Sequence, residues 1–269
     1  MKIDAILTPA ELPALARRDL RGAACVVFDV LRATSAFVTA LRNGAIAVIP
    51  AAEISEALAI RKNRPDVLLA GERDGLKIRA AQTGGTDFDL GNSPREFTPE
   101  MVRGRTIVST TTNGTRALHA CAGAQTVLAG CFLNLGATAE FIRRLQPAEV
   151  LLVCAGTREN RADEDVLAAG PLCEAIIRWG ETTGKPQGSG SRGRSPHLKE
   201  TVELSDSAEI ARHAWDQSKS DLARAVSNSE NGRRLLAIPK LRDDVAFCLQ
   251  RDIFPIVARM EADGAIRQQ

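Results

Sequence analysis

A chain of 269 residues can bury a sizeable core, as one large domain or as two modest lobes. With 44 % apolar and 25 % charged residues the composition is that of a globular protein, and a formal net charge of +2 is too small to hold nucleic acid by bulk electrostatics. Tyr is absent and aromatics are scarce, which argues against base-stacking platforms, and no apolar run approaches the roughly 18 residues that span a bilayer.

Residues 1–20 are interrupted by Pro9 and Pro13 and carry acidic side chains, so they lack the apolar core of a signal peptide. Apolar runs at 24–30, 45–49, 67–70, 106–109, 126–129 and 150–154 predict buried strands. Between them, helical spacing predicts helices over 35–42, 54–62, 115–121 and 137–145, with Gly44 and Gly123 as stop signals. Alternation of this kind predicts an α/β fold, a mixed and mostly parallel sheet flanked by helices. Ligands then bind at the carboxyl ends of the strands. Further on, a helix is expected over 166–179, a mobile Gly/Ser-rich stretch over 184–196, and mainly helical chain through 206–224 and 232–236. The whole reads as a single domain over 1–269, with lobes at 1–130 and 131–269 and the active site between them.

Within the Gly/Ser-rich stretch, Gly188-Ser189-Gly190-Ser191-Arg192-Gly193 satisfies the letters of a dinucleotide fingerprint. Lys185-Pro186-Gln187 precedes it and Pro196 follows, so no strand and helix flank it to aim amides at a pyrophosphate. A linker is the better reading. Cys25, Cys121, Cys131, Cys154, Cys173 and Cys248 are scattered, form no C-x-x-C pair and mostly sit in apolar runs. Free, reduced, mostly buried thiols are expected, and with no export signal they point to the cytoplasm.

Five polar segments follow strands or open helices. Asp29-Val30-Leu31-Arg32-Ala33-Thr34-Ser35 places a carboxylate at a strand end, an Arg fork, and two residues of the type that caps helices. Gly71-Glu72-Arg73-Asp74-Gly75 has the same character, although an exposed charged turn would look alike. Asp87-Phe88-Asp89-Leu90-Gly91-Asn92-Ser93-Pro94 offers the hard oxygens that magnesium prefers, in residues that also form ordinary turns. Ser109-Thr110-Thr111-Thr112-Asn113-Gly114-Thr115-Arg116 is a hydroxyl-rich anion cradle that is not a Walker A loop. Arg161-Ala162-Asp163-Glu164-Asp165 brings carboxylates that could serve only to oppose a helix dipole. Ser229-Glu230-Asn231-Gly232 and Asp243-Asp244 read, by themselves, as solvated turns. Four or five successive strand ends thus deliver carboxylates or hydroxyl-rich loops with an Arg. If the sheet is parallel, they converge on one edge and suit a Mg²⁺-bridged phosphate.

Familiar phosphatase machineries are missing. Leu31 stands where D-x-D would need a second Asp, Cys25 and Arg32 are one residue too far apart for C-x5-R, and R-H-G is absent. His119, His197 and His213 have no metal-ligand spacing, and His119 is expected to be a surface or packing residue.

Taken in order, Asp29 to Ser35, Gly71-Glu72-Arg73, Phe88 to Pro94 and Thr111 to Thr115 resemble the 2-phosphosulfolactate phosphatase (ComB-type) family. Glu164-Asp165 with Ala169-Gly170, Ser229 to Gly232, and Asp244 with Cys248 resemble its later signatures. The resemblance implies Mg²⁺-dependent hydrolysis of (2R)-2-phospho-3-sulfolactate to 3-sulfolactate and phosphate. It also implies a mixed α/β fold, and a product that belongs to sulfonate metabolism, coenzyme M synthesis included. Two departures stand out: a longer Gly/Thr-containing loop at 76–87 ending in Asp87 where the family has Gly, and Ala168 in place of a Cys.

On this reading Asp29, Glu72 and Asp89, joined by Asp165, hold Mg²⁺ directly or through water, and Arg32 works beside them. Thr34, Ser35, Asn113, Thr115 and Arg116 grip phosphate and sulfonate oxygens, and Arg73, Asn92, Ser93, Thr111, Thr112 and Gly114 complete the substrate set. Two other readings stay open: a phosphatase or phosphotransferase for another small organophosphate, and a non-catalytic anion-binding protein. A homo-oligomer is the default expectation.

Overall fold

The computed structural model describes residues 1–183 and 202–269. The expected Gly/Ser-rich loop at 184–196 and His197 lie outside the described residues. Strands are β1 (Lys2–Ile6), β2 (Ala23–Phe28), β3 (Ala47–Pro50), β4 (Leu68–Arg73), β5 (Leu76–Lys77) and β6 (Thr106–Thr110). They continue with β7 (Thr126–Gly130), β8 (Glu149–Cys154), β9 (Glu203–Leu204), β10 (Ala258–Met260) and β11 (Ile266–Gln268). Helices are α1 (Leu12–Leu15), α2 (Ala33–Arg42), α3 (Ile54–Asn63), α4 (Ala80–Thr83), α5 (Pro99–Val102) and α6 (Gly114–Ala120). The later ones are α7 (Leu135–Leu145), α8 (Asp163–Thr183), α9 (Asp206–Ser218), α10 (Leu222–Ser227), α11 (Glu230–Leu236) and α12 (Arg242–Cys248).

One sheet takes the order β5-β4-β6-β3-β11-β10-β7-β2-β8-β1-β9. Strands from both sides of residue 130 interleave in it, since β8 lies between β2 and β1. It contains two parallel blocks, β4-β6-β3 and β7-β2-β8-β1-β9. The hairpin β10–β11 joins them, pairing antiparallel with β7 on one side and with β3 on the other. Three antiparallel steps in a row make the two blocks run in opposite senses. The sheet is mixed and mostly parallel, as expected, but not uniformly parallel, the condition under which its strand ends would converge on one edge.

The ends meet all the same. Five strand-to-strand steps separate β6 from β2, and a twist of about 20–25° per step accumulates to roughly 100–125°. The coiled sheet wraps α2, which touches β3, β7, β10, β11 and α6 and is buried from Ala33 to Leu41. The two faces of β2 show how the core divides. Cys25 and Val27 join the cluster around Phe37 and Leu41 of α2, whereas Val26 and Phe28 join Leu128, Phe132, Leu152 and Trp215 on the other face. A strand covered on both faces must be apolar throughout, and all six residues of β2 are buried. A smaller cluster of Val67, Leu69, Ile78, Phe88 and Val108 supports the β4–β6 end. All six cysteines are free and buried. Among the described residues, no helix is long and apolar enough to cross a membrane.

Candidate active site

One cleft of ≈ 480 Å³, open to solvent, is lined by six segments of chain. Asp29, Leu31 and Arg32 come from the exit of β2; Glu72, Asp74 and Gly75 from the β4–β5 hairpin; Asn92 from the loop beyond it. Thr112 and Asn113 follow β6, Gly156, Thr157 and Arg158 follow β8, and Asn231 and Arg234 belong to α11.

Local chemistry fixes each wall. Asp29 Oδ1 accepts the Ala33 amide at 3.1 Å at the start of α2, and the residue lines the cleft. Thr34 Oγ1 accepts the Asp29 amide at 3.1 Å, and Ser35 Oγ donates to Val30 O at 2.8 Å. Both hydroxyls are fully buried, so Thr34 and Ser35 shape the turn that presents Asp29 and do not reach the cleft. Arg32, not either of them, occupies the cap position of α2.

Glu72 ties two loops together. Its Oε2 accepts the Gly75 amide at 2.7 Å, and its Oε1 accepts the Thr112 amide at 3.0 Å and the Thr112 hydroxyl at 2.9 Å. Asn113 does the same between β6 and β8, donating to Ala155 O at 3.0 Å and Arg158 O at 2.9 Å while accepting from the Arg158 amide at 3.0 Å. Gly114 lies so close to Asp29 that a Cβ there would stand 2.6 Å from Oδ2 and 2.8 Å from Ala33 Cβ. Glycine is required by that approach.

Arg32 is 3 % exposed and meets Asp244 Oδ2 at 2.6 Å and Gly75 O at 2.7 Å. Ser93 Oγ donates to the other Asp244 oxygen at 2.7 Å. The Asp243-Asp244 and Asn231 segments are thus not solvated turns: Asp244 and Asn231 are buried partners of the site. Arg234 donates to Asn231 Oδ1 at 2.9 Å, but its Nε is buried with no partner among the described residues.

Carboxylates crowd one another here. Burial pushes the Asp29 carboxyl up to about 7, against a hydrogen bond from Ala33, with Glu72 and Glu164 adding repulsion and Arg32 opposing it. Asp165 is raised well above the usual range by burial, then by Glu164 and Asp29. Burial likewise raises Glu164, against hydrogen bonding from Asn231 and Ser229.

Of the four carboxylates expected to hold a metal, Asp29 and Glu72 line the cleft. Asp165 does not: it lies beneath, with Oδ1 on the Val30 amide at 2.8 Å and Oδ2 on the Gly156 amide at 3.0 Å. Asp89 lies elsewhere, with Oδ2 on Arg61 at 2.6 Å and on the Leu69 amide at 2.7 Å, near the opposite end of β4. Among the described residues, no three His, Cys, Asp or Glu side chains are placed to hold a metal by themselves. Mg²⁺ commonly takes one or two carboxylates and fills its other positions with water and substrate phosphate, so Asp29 and Glu72 fit it as a pair.

The expected substrate residues divide likewise. Asn92, Thr112 and Asn113 line the cleft, while Arg73 and Ser93 face a wider cleft beside it. Thr111 and Thr115 bond each other, with the Thr115 hydroxyl on Thr111 O at 3.1 Å, and hold the first turn of α6. Arg116 points outward to Glu159 at 3.1 Å. His119 is exposed, with its Nε2 3.1 Å from Pro50 O, a surface position outside the cleft. Asp74 belongs to the polar segment that carries Glu72, whereas Thr157, Arg158 and Arg234 had no motif to announce them.

The family model described as 2-phosphosulpholactate phosphatase matches residues 7–263. A probable 2-phosphosulfolactate phosphatase of Caldanaerobacter subterraneus subsp. tengcongensis is 37 % identical over 254 residues, covering 93 % of this chain and 92 % of the relative. Another from Clostridium novyi is 32 % identical over 258 residues, 96 % of each chain. One from Pseudothermotoga lettingae is 36 % identical over 245 residues, 91 % of this chain and 92 % of the relative. With the strand-end motifs gathered round one cleft and the match running nearly end to end, this chain belongs to the 2-phosphosulfolactate phosphatase family.

Proposed function

We propose that this chain is a phosphoric monoester hydrolase that converts (2R)-2-phospho-3-sulfolactate to 3-sulfolactate and phosphate, with Mg²⁺ as its cofactor. One observation carries the reading beyond family membership: Asp29 and Glu72 share a cleft with the Arg32 and Arg234 guanidinium groups. Three Arg (Arg32, Arg158, Arg234) and three carboxylates (Asp29, Glu72, Asp74) line it, so their formal charges cancel. The substrate carries about four negative charges, given a second phosphate pKa of about 6. Mg²⁺ held by Asp29 and Glu72 supplies charge the lining lacks and offsets the negative charge that develops on the phosphoryl oxygens.

The protein's own groups do the positioning. Arg32 is clamped by Asp244 and Gly75 O, so its planar fork meets an oxyanion with little further ordering. Arg234 brings a buried, unpartnered Nε, which a phosphate or sulfonate oxygen would satisfy. Asp29 Oδ2 is the atom able either to take a proton from an attacking water or to attack phosphorus itself. Trapping of a phosphoryl-Asp29 after acid quench decides between these routes.

Phosphate release measured over phosphosulfolactate, phospholactate and phosphoglycolate tests the assignment. Fastest release is expected from phosphosulfolactate, abolished by EDTA and restored by Mg²⁺. Indifference to EDTA removes the metal from the reading. No release from any ester leaves the anion-binding alternative.

A further inference from the structure

Beside the catalytic cleft lies a second one, of ≈ 1670 Å³ against ≈ 480 Å³ by the same measure. The two adjoin, with Arg32, Asp74, Gly75 and Asn92 lining both. Their electrostatics differ. Six cations (Arg32, Arg73, Lys77, Arg79, Arg95, Lys240) line the larger cleft with only two carboxylates, Asp74 and Glu96. Most of that charge is uncommitted. Arg73, Lys77, Arg79 and Lys240 take part in no ion pair among the described residues; Arg95 is paired with Asp243 at 3.2 Å and Arg32 with Asp244 at 2.6 Å. Arg73 donates to Glu72 O and Thr110 Oγ1, and Lys77 to Asp89 O, so both are held in place by neutral acceptors. Of the two carboxylates, Glu96 is spent on the Gly91 amide at 2.7 Å. Leu76, 56 % exposed, with Ile238 and Leu241 adds an apolar wall.

Much of this wall comes from the 76–87 loop. It folds as β5 followed by α4, with Asp87 Oδ1 accepting the Ala80 amide at 2.9 Å at the start of that helix. Leu76, Lys77, Arg79 and Gln82 of this loop all face the cleft.

We propose that the second cleft is an accessory anion subsite for the distal acidic group of the substrate, admitting phosphate esters longer than a three-carbon acid. The ligand class is a phosphate monoester whose second anion, a carboxylate or sulfonate, is separated from the ester carbon by a short apolar chain. The phosphate sits in the first cleft, so the inference rests on the phosphatase reading. The chain crosses Gly75 and Asn92 along the Leu76 and Leu241 wall, and the distal anion reaches Arg79 and Lys240. Both of these are exposed and neither lines the catalytic cleft.

The test compares the full-length chain with the Arg79→Glu/Lys240→Glu variant, on phosphoglycolate, 2-phosphohexanoate and the 2-phosphate ester of 2-hydroxyadipate. The wild type is expected to show a lower KM for the hydroxyadipate ester than for 2-phosphohexanoate of equal length. The variant is expected to raise the KM of the hydroxyadipate ester by about tenfold or more, the scale of one hydrogen bond to a charged group, with phosphoglycolate kinetics unchanged. Equal KM values for the diacid and monoacid esters in the wild type overturn the proposal. So does an equal KM increase for all three esters in the variant, which would be steering by bulk charge alone. Calorimetric titration of the same esters separates this inference from the reading beneath it: binding with the diacid preference but no turnover sinks the phosphatase and keeps the subsite. Equal weak binding of all three removes the subsite even if phosphate is released.

Discussion

Arg32 and Asp244 form the most exacting contact in the site. Both are buried, at 2 % and 0 % side-chain exposure, and 2.6 Å apart. Removing one charge strands the other in a medium where it cannot be solvated, which costs about 3–5 kcal/mol. Asp244→Asn is expected to lower the denaturation midpoint accordingly, with the slope on denaturant unchanged. The double change Arg32→Met/Asp244→Leu should recover much of that loss, because no lone charge remains, and yet stay inactive. If the double variant keeps activity, Arg32 has no part in the chemistry. Gly114 makes a complementary case. In Gly114→Ala the new methyl meets Asp29 Oδ2 at 2.6 Å, while the helix start gains slightly in propensity. Activity should fall about 10²-fold, the scale of an ångström's misplacement, and Tm should fall with it, because the methyl also meets the buried Ala33 Cβ at 2.8 Å. A Tm loss without an activity loss would show that Asp29 tolerates the shift.

At the scale of elements, the strand–helix alternation was plain because buried strands must be apolar on both faces. The expected strands at 24–30, 106–109, 126–129 and 150–154 fall within two residues of β2, β6, β7 and β8. The two short C-terminal strands gave no such signal. Ala258-Arg259-Met260 and Ile266-Arg267-Gln268 are three residues each with a charge in the middle. They are strands only because β3 and β7 offer unpaired edges on either side. Deleting residues 258–269 should leave those edges open in the middle of the sheet, a template for aggregation. Loss of a cooperative thermal transition, or insolubility, is the expected result. A soluble truncated chain with a sharp transition would mean the two blocks hold together without the hairpin.

For the whole molecule, the cleft's crowded carboxylates make the metal a matter of stability as well as catalysis. A cation that binds only the folded chain stabilises it by mass action, about 2.7 kcal/mol at 100 times its Kd. Tm should therefore climb with Mg²⁺ concentration, and the climb should vanish in Asp29→Asn. A Tm indifferent to Mg²⁺ in the wild type would remove Asp29 and Glu72 as a metal pair.

The primary structure by itself determined the α/β class, the polar segments at the strand ends and the family resemblance. Each of these is written in local order: apolar runs, turn formers and short motifs survive without knowing what lies opposite. It did not reveal that Asp89 and Arg116 turn away, that Thr34, Ser35, Thr111 and Thr115 are spent on their own turns, or that Asp165 lies beneath the cleft. Nor did it reveal Arg234 or Arg158, whose neighbours in sequence are ordinary. Which side of a turn a carboxylate faces is set by the nearest free amide or guanidinium, and those come from residues tens to hundreds of positions away. Only the coiling of two opposed parallel blocks around α2 brought residues 29, 72, 113, 158 and 234 to one place.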